Sequence, residues 1–138
     1  MSNATTQSSL RVVVVTPEAT LLDEAADFVA LPLFDGELGV AFDHSPLIGR
    51  LGYGELRIRQ ASGERRLYVD GGFVQVADNV VSVLTNRAVE AKDLDVAAAK
   101  AQLDALIAQR APTDEEEAIR ERAMLQARGQ IRTAAKAK

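Results

Sequence analysis

The residues with the most chemical potential lie between positions 35 and 54. Asp35, Glu37 and Asp43 offer carboxylates, and His44, the single histidine, follows directly. Paired carboxylates can do general acid–base work, and a run of them can hold calcium. The spacing here does not match the ligand pattern of an EF-hand loop, so these groups read as turn and surface carboxylates. One histidine cannot build a multi-histidine metal site. The stretch Gly49-Arg50-Leu51-Gly52-Tyr53-Gly54 is rich in glycine but lacks the order and the lysine of a phosphate-binding P-loop. It reads instead as a bent strand with a close backbone approach. No GxSxG elbow and no HExxH helix occurs. Cysteine is absent, which removes disulfides, thiol nucleophiles and thiolate metal sites. No catalytic cluster can be assembled, so the reading is a binding protein with no cofactor and no metal.

The chain as a whole agrees with that reading. Its 138 residues fit one core-bearing domain plus an appendage. Hydrophobic residues at 47% and charged residues at 26% are ordinary for a folded domain. The net charge of −4 gives no pull toward nucleic acid. Tryptophan is absent and aromatics reach only 4%, which disfavours a stacking surface for bases or sugars. Apolar runs stay short, as at Val12–Val15, against the roughly 20 residues of a bilayer span. No charged-then-apolar leader is read at the start. Membrane association is expected only through a partner.

Composition changes near residue 90. Residues 1–9 are small and polar and read as a flexible tail. Residues 10–90 read as a β-domain, with strands expected at Leu10–Thr16, Ala26–Leu33, Glu55–Gln60, Arg65–Val69, Phe73–Val76 and Val80–Leu84. Turn signals stand at Asp35-Gly36, Ser62-Gly63, Gly71-Gly72 and Asp78-Asn79. Leu56, Ile58 and Gln60 alternate with Arg57 and Arg59, so that strand has one wet face. Short strands at this spacing suggest an antiparallel sandwich or barrel. Residues 91–138 read as a helical hairpin. Asp93 is taken as the first N-cap, with Leu94, Ala98, Ala101, Leu106 and Ile107 as an apolar stripe. Ala111-Pro112-Thr113 breaks the helix, and Thr113 with Glu116 fits a capping box for the next one. That second helix has a thin apolar face, Ile119, Ala123, Ala127 and Ile131. It also carries Gly129, at a cost of about 1 kcal/mol relative to Ala. Its acids come first and its arginines later, which suits the helix dipole. So little burial suggests a hairpin that can detach.

Residues 35–48 carry a resemblance. Asp35-Gly36-Glu37-Leu38-Gly39-Val40, followed by Asp43-His44-Ser45-Pro46-Leu47-Ile48, resembles the "GELG … GH[AS]PL" signature of ATP synthase epsilon subunits. Gly54-Glu55-Leu56-Arg57-Ile58, Tyr68-Val69-Asp70-Gly71-Gly72-Phe73-Val74-Gln75-Val76 and Asn79-Val80-Val81-Ser82-Val83-Leu84 resemble the later blocks in order. The resemblance implies a flattened antiparallel β-sandwich followed by an antiparallel two-helix hairpin. It implies a non-catalytic central-stalk subunit of the proton-translocating enzyme. The sandwich would pack on the gamma subunit and sit on the c-ring. Glu37, Leu38 and Gly39 become ring-contact candidates, with His44 nearby. Turn geometry alone accounts for the same glycines, and a turn hydrogen bond for His44. Asp43 stands where the family usually has Gly.

The resemblance also implies a regulatory hairpin, folded on the sandwich or extended into the alpha/beta catalytic head to restrain hydrolysis. Arg120, Arg122, Arg128 and Arg132 suit an acidic segment of the beta subunit by charge; a solvated basic face is the other reading. Some relatives bind ATP on the hairpin through "[IL]DxxRA". The matching stretch begins Leu94-Asp95, but Ala98 occupies the arginine position and Val89 replaces an upstream acid. Arg128 and Arg132 remain as phosphate partners, so ATP binding is expected to be weak or absent. The expected location is the cytoplasmic face of a bacterial plasma membrane, as a peripheral subunit. The competing reading is a free-standing ligand-binding β-sandwich module.

Overall fold

The computed structural model describes residues 9–136, so the expected tail lies, up to residue 8, outside the described residues. Eight strands come first: β1 (Leu10–Val15), β2 (Thr20–Ala26), β3 (Phe28–Leu33), β4 (Gly36–Val40), β5 (Leu47–Gln60), β6 (Gly63–Ala77), β7 (Val80–Leu84) and β8 (Ala88–Glu90). A 3-10 turn at Ala91–Asp93 leads to helices α1 (Val96–Ala108) and α2 (Asp114–Lys136). The strands join in the order β2-β1-β7-β6-β5-β3-β4, with β8 added on β6.

Two long strands turn this sheet into a sandwich. β5 has 14 residues and β6 has 15, and they pair antiparallel from Leu47↔Val76 to Gln60↔Gly63. The first half of β5 and the last half of β6 lie with β7, β1 and β2; the other halves lie with β3, β4 and β8. The corner falls at Gly52 in β5 and Gly71-Gly72 in β6. Gly71 and Gly72 take φ of 71° and 107°, a region that excludes most side chains. Gly52 packs against the backbone of Leu33, whose carbonyl oxygen a Cβ would meet at a tight 3.0 Å. Between the layers lie Val12, Val14, Val29, Leu31, Leu56, Ile58, Val69, Val74, Val81 and Val83, all essentially without exposure. At roughly 25 cal/mol per Å² of apolar surface, this valine-rich interior is the principal stabilising term of the sandwich.

Several expectations are corrected here. The pair β1–β7 is parallel, while the other pairs are antiparallel. Parallel neighbours need a long connection, and the whole intervening sandwich supplies it. The strand expected at Ala26–Leu33 is split: Asp27 leaves the ladder, with its N–H bonded to the Arg59 carbonyl at 2.8 Å. Arg65–Val69 and Phe73–Val76 belong to one strand, because Gly71-Gly72 bends β6 instead of reversing it. The segment Gly36–Val40 is an edge strand, and the reversal sits just before it. Asp78 and Asn79, both at positive φ (52° and 62°), make the tight β6–β7 turn as expected.

The helix caps shift as well. The first N-cap is Asp95, whose carboxylate accepts from the Ala98 N–H at 3.0 Å; Asp93 ends the 3-10 turn. Ala99 is the buried residue of α1, and Ile107 is 54% exposed, so the expected stripe does not face a core. Thr113 caps α2 as expected, its hydroxyl accepting from the Glu116 N–H, but the Glu116 carboxylate accepts from that same hydroxyl where a capping box would take the Thr113 N–H.

The corner makes a testable demand. A Cβ at Gly72 would run into the Leu84 carbonyl of β7 in a backbone conformation that L residues avoid. Gly72→Ala is expected to destabilise the sandwich by about 3 kcal/mol, read as a lower urea midpoint.

Candidate functional site

Three surfaces emerge from this scaffold. The first is the β4 edge and the loop that follows it. Glu37, Leu38 and Gly39 lie on β4, whose outer backbone faces no further strand. Glu37 approaches Arg57 at 3.8 Å. Gly39 lies under the Phe28 ring, where a Cβ would come within 2.7 Å of it. His44 belongs to the loop and is occupied locally: its Nδ1 lies 2.8 Å from the Ser45 carbonyl, and its N–H donates to Ala41. Asp43 takes φ of 64° and so keeps a left-handed backbone without a glycine. Its N–H donates to Asn79 Oδ1 at 2.6 Å, and Asn79 donates back to its carboxylate. This pair fastens the loop to the β6–β7 turn.

The second surface is the outer face of the β2-β1-β7 layer. Pairing sets Arg50 opposite Phe73, Phe73 opposite Leu84, and Leu84 opposite Val15. The buried neighbours Leu51, Val74, Val83 and Val14 turn these residues outward by strand alternation. Phe73 and Leu84 are more than half exposed, as are Phe34 and Ile48 beside them. Arg50 stacks its guanidinium over Phe34, 4.4 Å from the ring centre. The row runs into a cavity of about 710 Å³ whose far wall includes Arg122 and Gln126 of α2. A contiguous apolar row with a cationic border is the signature of a docking face.

The third surface is the seat of the hairpin. Alternation turns Tyr68 and Glu55 outward on the other layer, yet both are buried, because α2 crosses over them. The helix approaches through small residues: Ala127, Gly129, Thr133 and Ala134 are buried against the sheet. The Tyr68 hydroxyl donates to Asp70 at 2.7 Å, and Gln126 donates to the other Asp70 oxygen at 3.2 Å. Glu55 is held by Arg66 at 2.7 Å. Burial first, then the bond to Asp70, pushes the Tyr68 phenol well above its ordinary range, while Gln130 and Arg87 pull weakly the other way.

The arginines expected to act together are not equivalent. Arg120 donates to the Leu106 carbonyl at 3.0 Å and closes the hairpin internally. Arg122 and Arg128 are exposed, and Arg132 donates to the Tyr53 carbonyl at 3.4 Å. Asp95 is engaged as a helix cap, and the cavities beside α2 are lined by neither Leu94 nor Asp95. The expected docking face also changes. Ile119 is 68% exposed, and the seat is built on Gln126, Gly129 and Thr133 together with Ala127. Tyr53, Tyr68, Asp70, Phe73 and Leu84 were not singled out from sequence. For Tyr68, Phe73 and Leu84 the available signal was strand alternation, which turns large side chains outward beside inward valines.

The fold and its surfaces define a sandwich-plus-hairpin module organised around docking faces. The profile described as ATP synthase, Delta/Epsilon chain, beta-sandwich domain matches residues 9–91. The ATP synthase epsilon chain of Rhodopirellula baltica is 53% identical over 124 residues, covering 90% of this chain and 97% of that one. The sodium ion specific epsilon chain of Propionigenium modestum is 33% identical over 97 residues, covering 70% and 71%. A chain of the Euglena gracilis mitochondrial ATP synthase structure superposes with a TM-score of 0.79, 22% identity and coverage of 94% and 81%. One from the Tetrahymena thermophila central stalk/c-ring structure gives 0.66, 18%, 93% and 95%. These two likenesses establish the fold. The chain belongs to the ATP synthase epsilon-chain family. It is a non-catalytic subunit of that membrane-associated complex. Among the described residues no helix is long and apolar enough to cross a membrane.

The Tyr68 environment sets a pH dependence. Below the ordinary tyrosine pKa of about 10 the phenol is neutral both under the helix and free of it, so docking has its full strength. Above that value an uncovered Tyr68 ionises while the covered one resists, so docking weakens as pH rises. Phenolate absorbance, with Tyr68→Phe as reference, is expected to show Tyr68 ionising only well above the ordinary tyrosine range.

Proposed function

We propose that the chain works in the central rotor of a proton-translocating F-type ATP synthase, coupling gamma and the c-ring to the catalytic head. The observation that carries this reading is the exposed row of Phe34, Phe73 and Leu84 with Arg50, an apolar face on a family member whose work is assembly. Gamma is its partner in this reading. Residues 10–90 form the anchoring unit and residues 91–138 the separable one. Glu37, Leu38 and Gly39 on the open β4 edge, with His44 in the adjoining loop, face the polar loops of the c-ring. The complex then lies at the cytoplasmic face of a bacterial plasma membrane, with this subunit peripheral.

The hairpin restrains hydrolysis when it extends into the head. In this reading the exposed Arg122 and Arg128 meet an acidic segment of the beta subunit, Arg132 joins them once it leaves the Tyr53 carbonyl, and Arg120 once the hairpin opens. Exposed ion pairs contribute about 0–1 kcal/mol each, so the arginines must act together. In this reading nucleotide binding is weak or absent, with Ala98 at the arginine position of the motif and the Asp95 carboxylate engaged as a helix cap.

Two measurements test the reading. Phe73→Asp places a charge in the centre of the docking row and is expected to weaken binding to a gamma-containing head at least tenfold, about 1.4 kcal/mol, without unfolding the sandwich. Unchanged affinity sinks the assignment of that face. Titrating hydrolysis by an epsilon-free head with full-length chain, and with a chain ending at Glu90, is expected to give binding by both and slowing by the full-length chain alone. Equal slowing by both rules out the hairpin as the brake.

A further inference from the structure

We propose that Gly129 is the latch of the hairpin: docking of α2 depends on direct contact between the helix backbone at this residue and the backbone of Tyr53. The inference rests on the reading above that the hairpin leaves the sandwich. A Cβ at Gly129 would come within 2.5 Å of the Tyr53 carbonyl oxygen, 2.9 Å of its carbon and 3.2 Å of the Tyr68 ring. The first two atoms are strand backbone, fixed by the Tyr53↔Asp70 pairing of β5 and β6, and cannot rotate aside. Any side chain therefore lifts the helix.

The other contacts are arranged around that point. Gln126 reaches Asp70, Arg132 reaches the Tyr53 carbonyl, and the buried Thr133 hydroxyl donates to the Gly129 carbonyl at 2.8 Å. Asp70 is itself fixed, since its N–H meets Thr85 Oγ1 and the Arg87 carbonyl and its carbonyl accepts from Asn86. The principal contacts of α1 are with α2, and those of α2 are with α1, β5 and β6. So the hairpin hangs from the second half of α2, and release at one turn frees both helices. Glycine is a weak helix former, so replacing it favours the helix while removing its seat. That opposition separates a latch from a general stability effect.

The test uses the full chain, whose lack of cysteine allows two labels to be placed uniquely. Arg110→Cys, between the helices, and Ser62→Cys, in the β5–β6 turn, carry spin labels. Distances are measured on the chain alone and on a gamma-containing head, with Gly129 kept or changed to Ala or Leu. Gln126→Ala, which adds no atom at the seat, is the companion. Amide exchange of the β-strands reports the sandwich. The expected result is a shift to a different, broader distance with Gly129→Leu, a smaller shift with Gly129→Ala and Gln126→Ala, unchanged helix content and protected strands. An unchanged distance with Gly129→Leu overturns the latch, even if the unsubstituted chain rearranges on the head and so keeps the mobile-hairpin reading. Loss of strand protection also overturns it, because the helix is then part of the core. If the unsubstituted chain keeps one distance on the head while Gly129→Leu shifts, the latch stands and the mobile-hairpin reading fails.

Discussion

Two long strands must pass from one layer of the sandwich to the other without breaking their ladder, and the glycines at the corner make that possible. Gly71 and Gly72 take positive φ, and Gly52 lies against the Leu33 backbone. A turn at this place would have produced two separate hairpins. A bend keeps the strands continuous, so Phe73 emerges on one outer face while Tyr68 and Asp70 emerge on the other. One feature thus sets both the docking row and the hairpin seat, which meet at the cavity lined by Phe73, Leu84, Arg122 and Gln126.

The hairpin seat obeys a different rule. Burial of large apolar side chains holds the sandwich, but α2 is held by closeness. Small residues let the helix backbone touch the sheet, and most of the polar groups covered in the process are paired, while Glu55 Oε1 is buried without a partner. Asp70 accepts from both Tyr68 and Gln126, and Arg66 holds Glu55. An unpaired buried polar group costs about 1–3 kcal/mol, so the pairs at Asp70 and Glu55 Oε2 support the covered state while the unpartnered Glu55 Oε1 weakens it. A seat of this kind is released more easily than an apolar core, because its polar groups regain partners in water. That asymmetry is in keeping with the proposed release of the hairpin.

Much of this was legible in the residues. The change from strands to helices near residue 90, the Asp78-Asn79 turn and the Thr113 cap each rest on local rules and stand in the structure as expected. Local rules failed where a residue admits two roles. Gly71-Gly72 reads as a turn unless the ladder is known to continue. Gly129 reads as a weakness of its helix until the strand beneath it is seen. Asp93 and Asp95 are both cap residues by type, and only the 3-10 turn before Leu94 assigns the cap to Asp95.

The sequence by itself determined the family, the absence of cysteine-based chemistry and the alternation that fills the sandwich with valine. These follow from residue type and short-range spacing, which survive any rearrangement of the elements. Only the tertiary structure decided that the hairpin is seated through α2, that Arg120 serves the hairpin itself, and that Tyr68 lies under a helix. Each of these depends on backbone surfaces meeting across long stretches of chain, such as the 79 residues between Tyr53 and Arg132. Such meetings are fixed by shape and hydrogen-bond geometry in space, for which spacing along the chain carries no record.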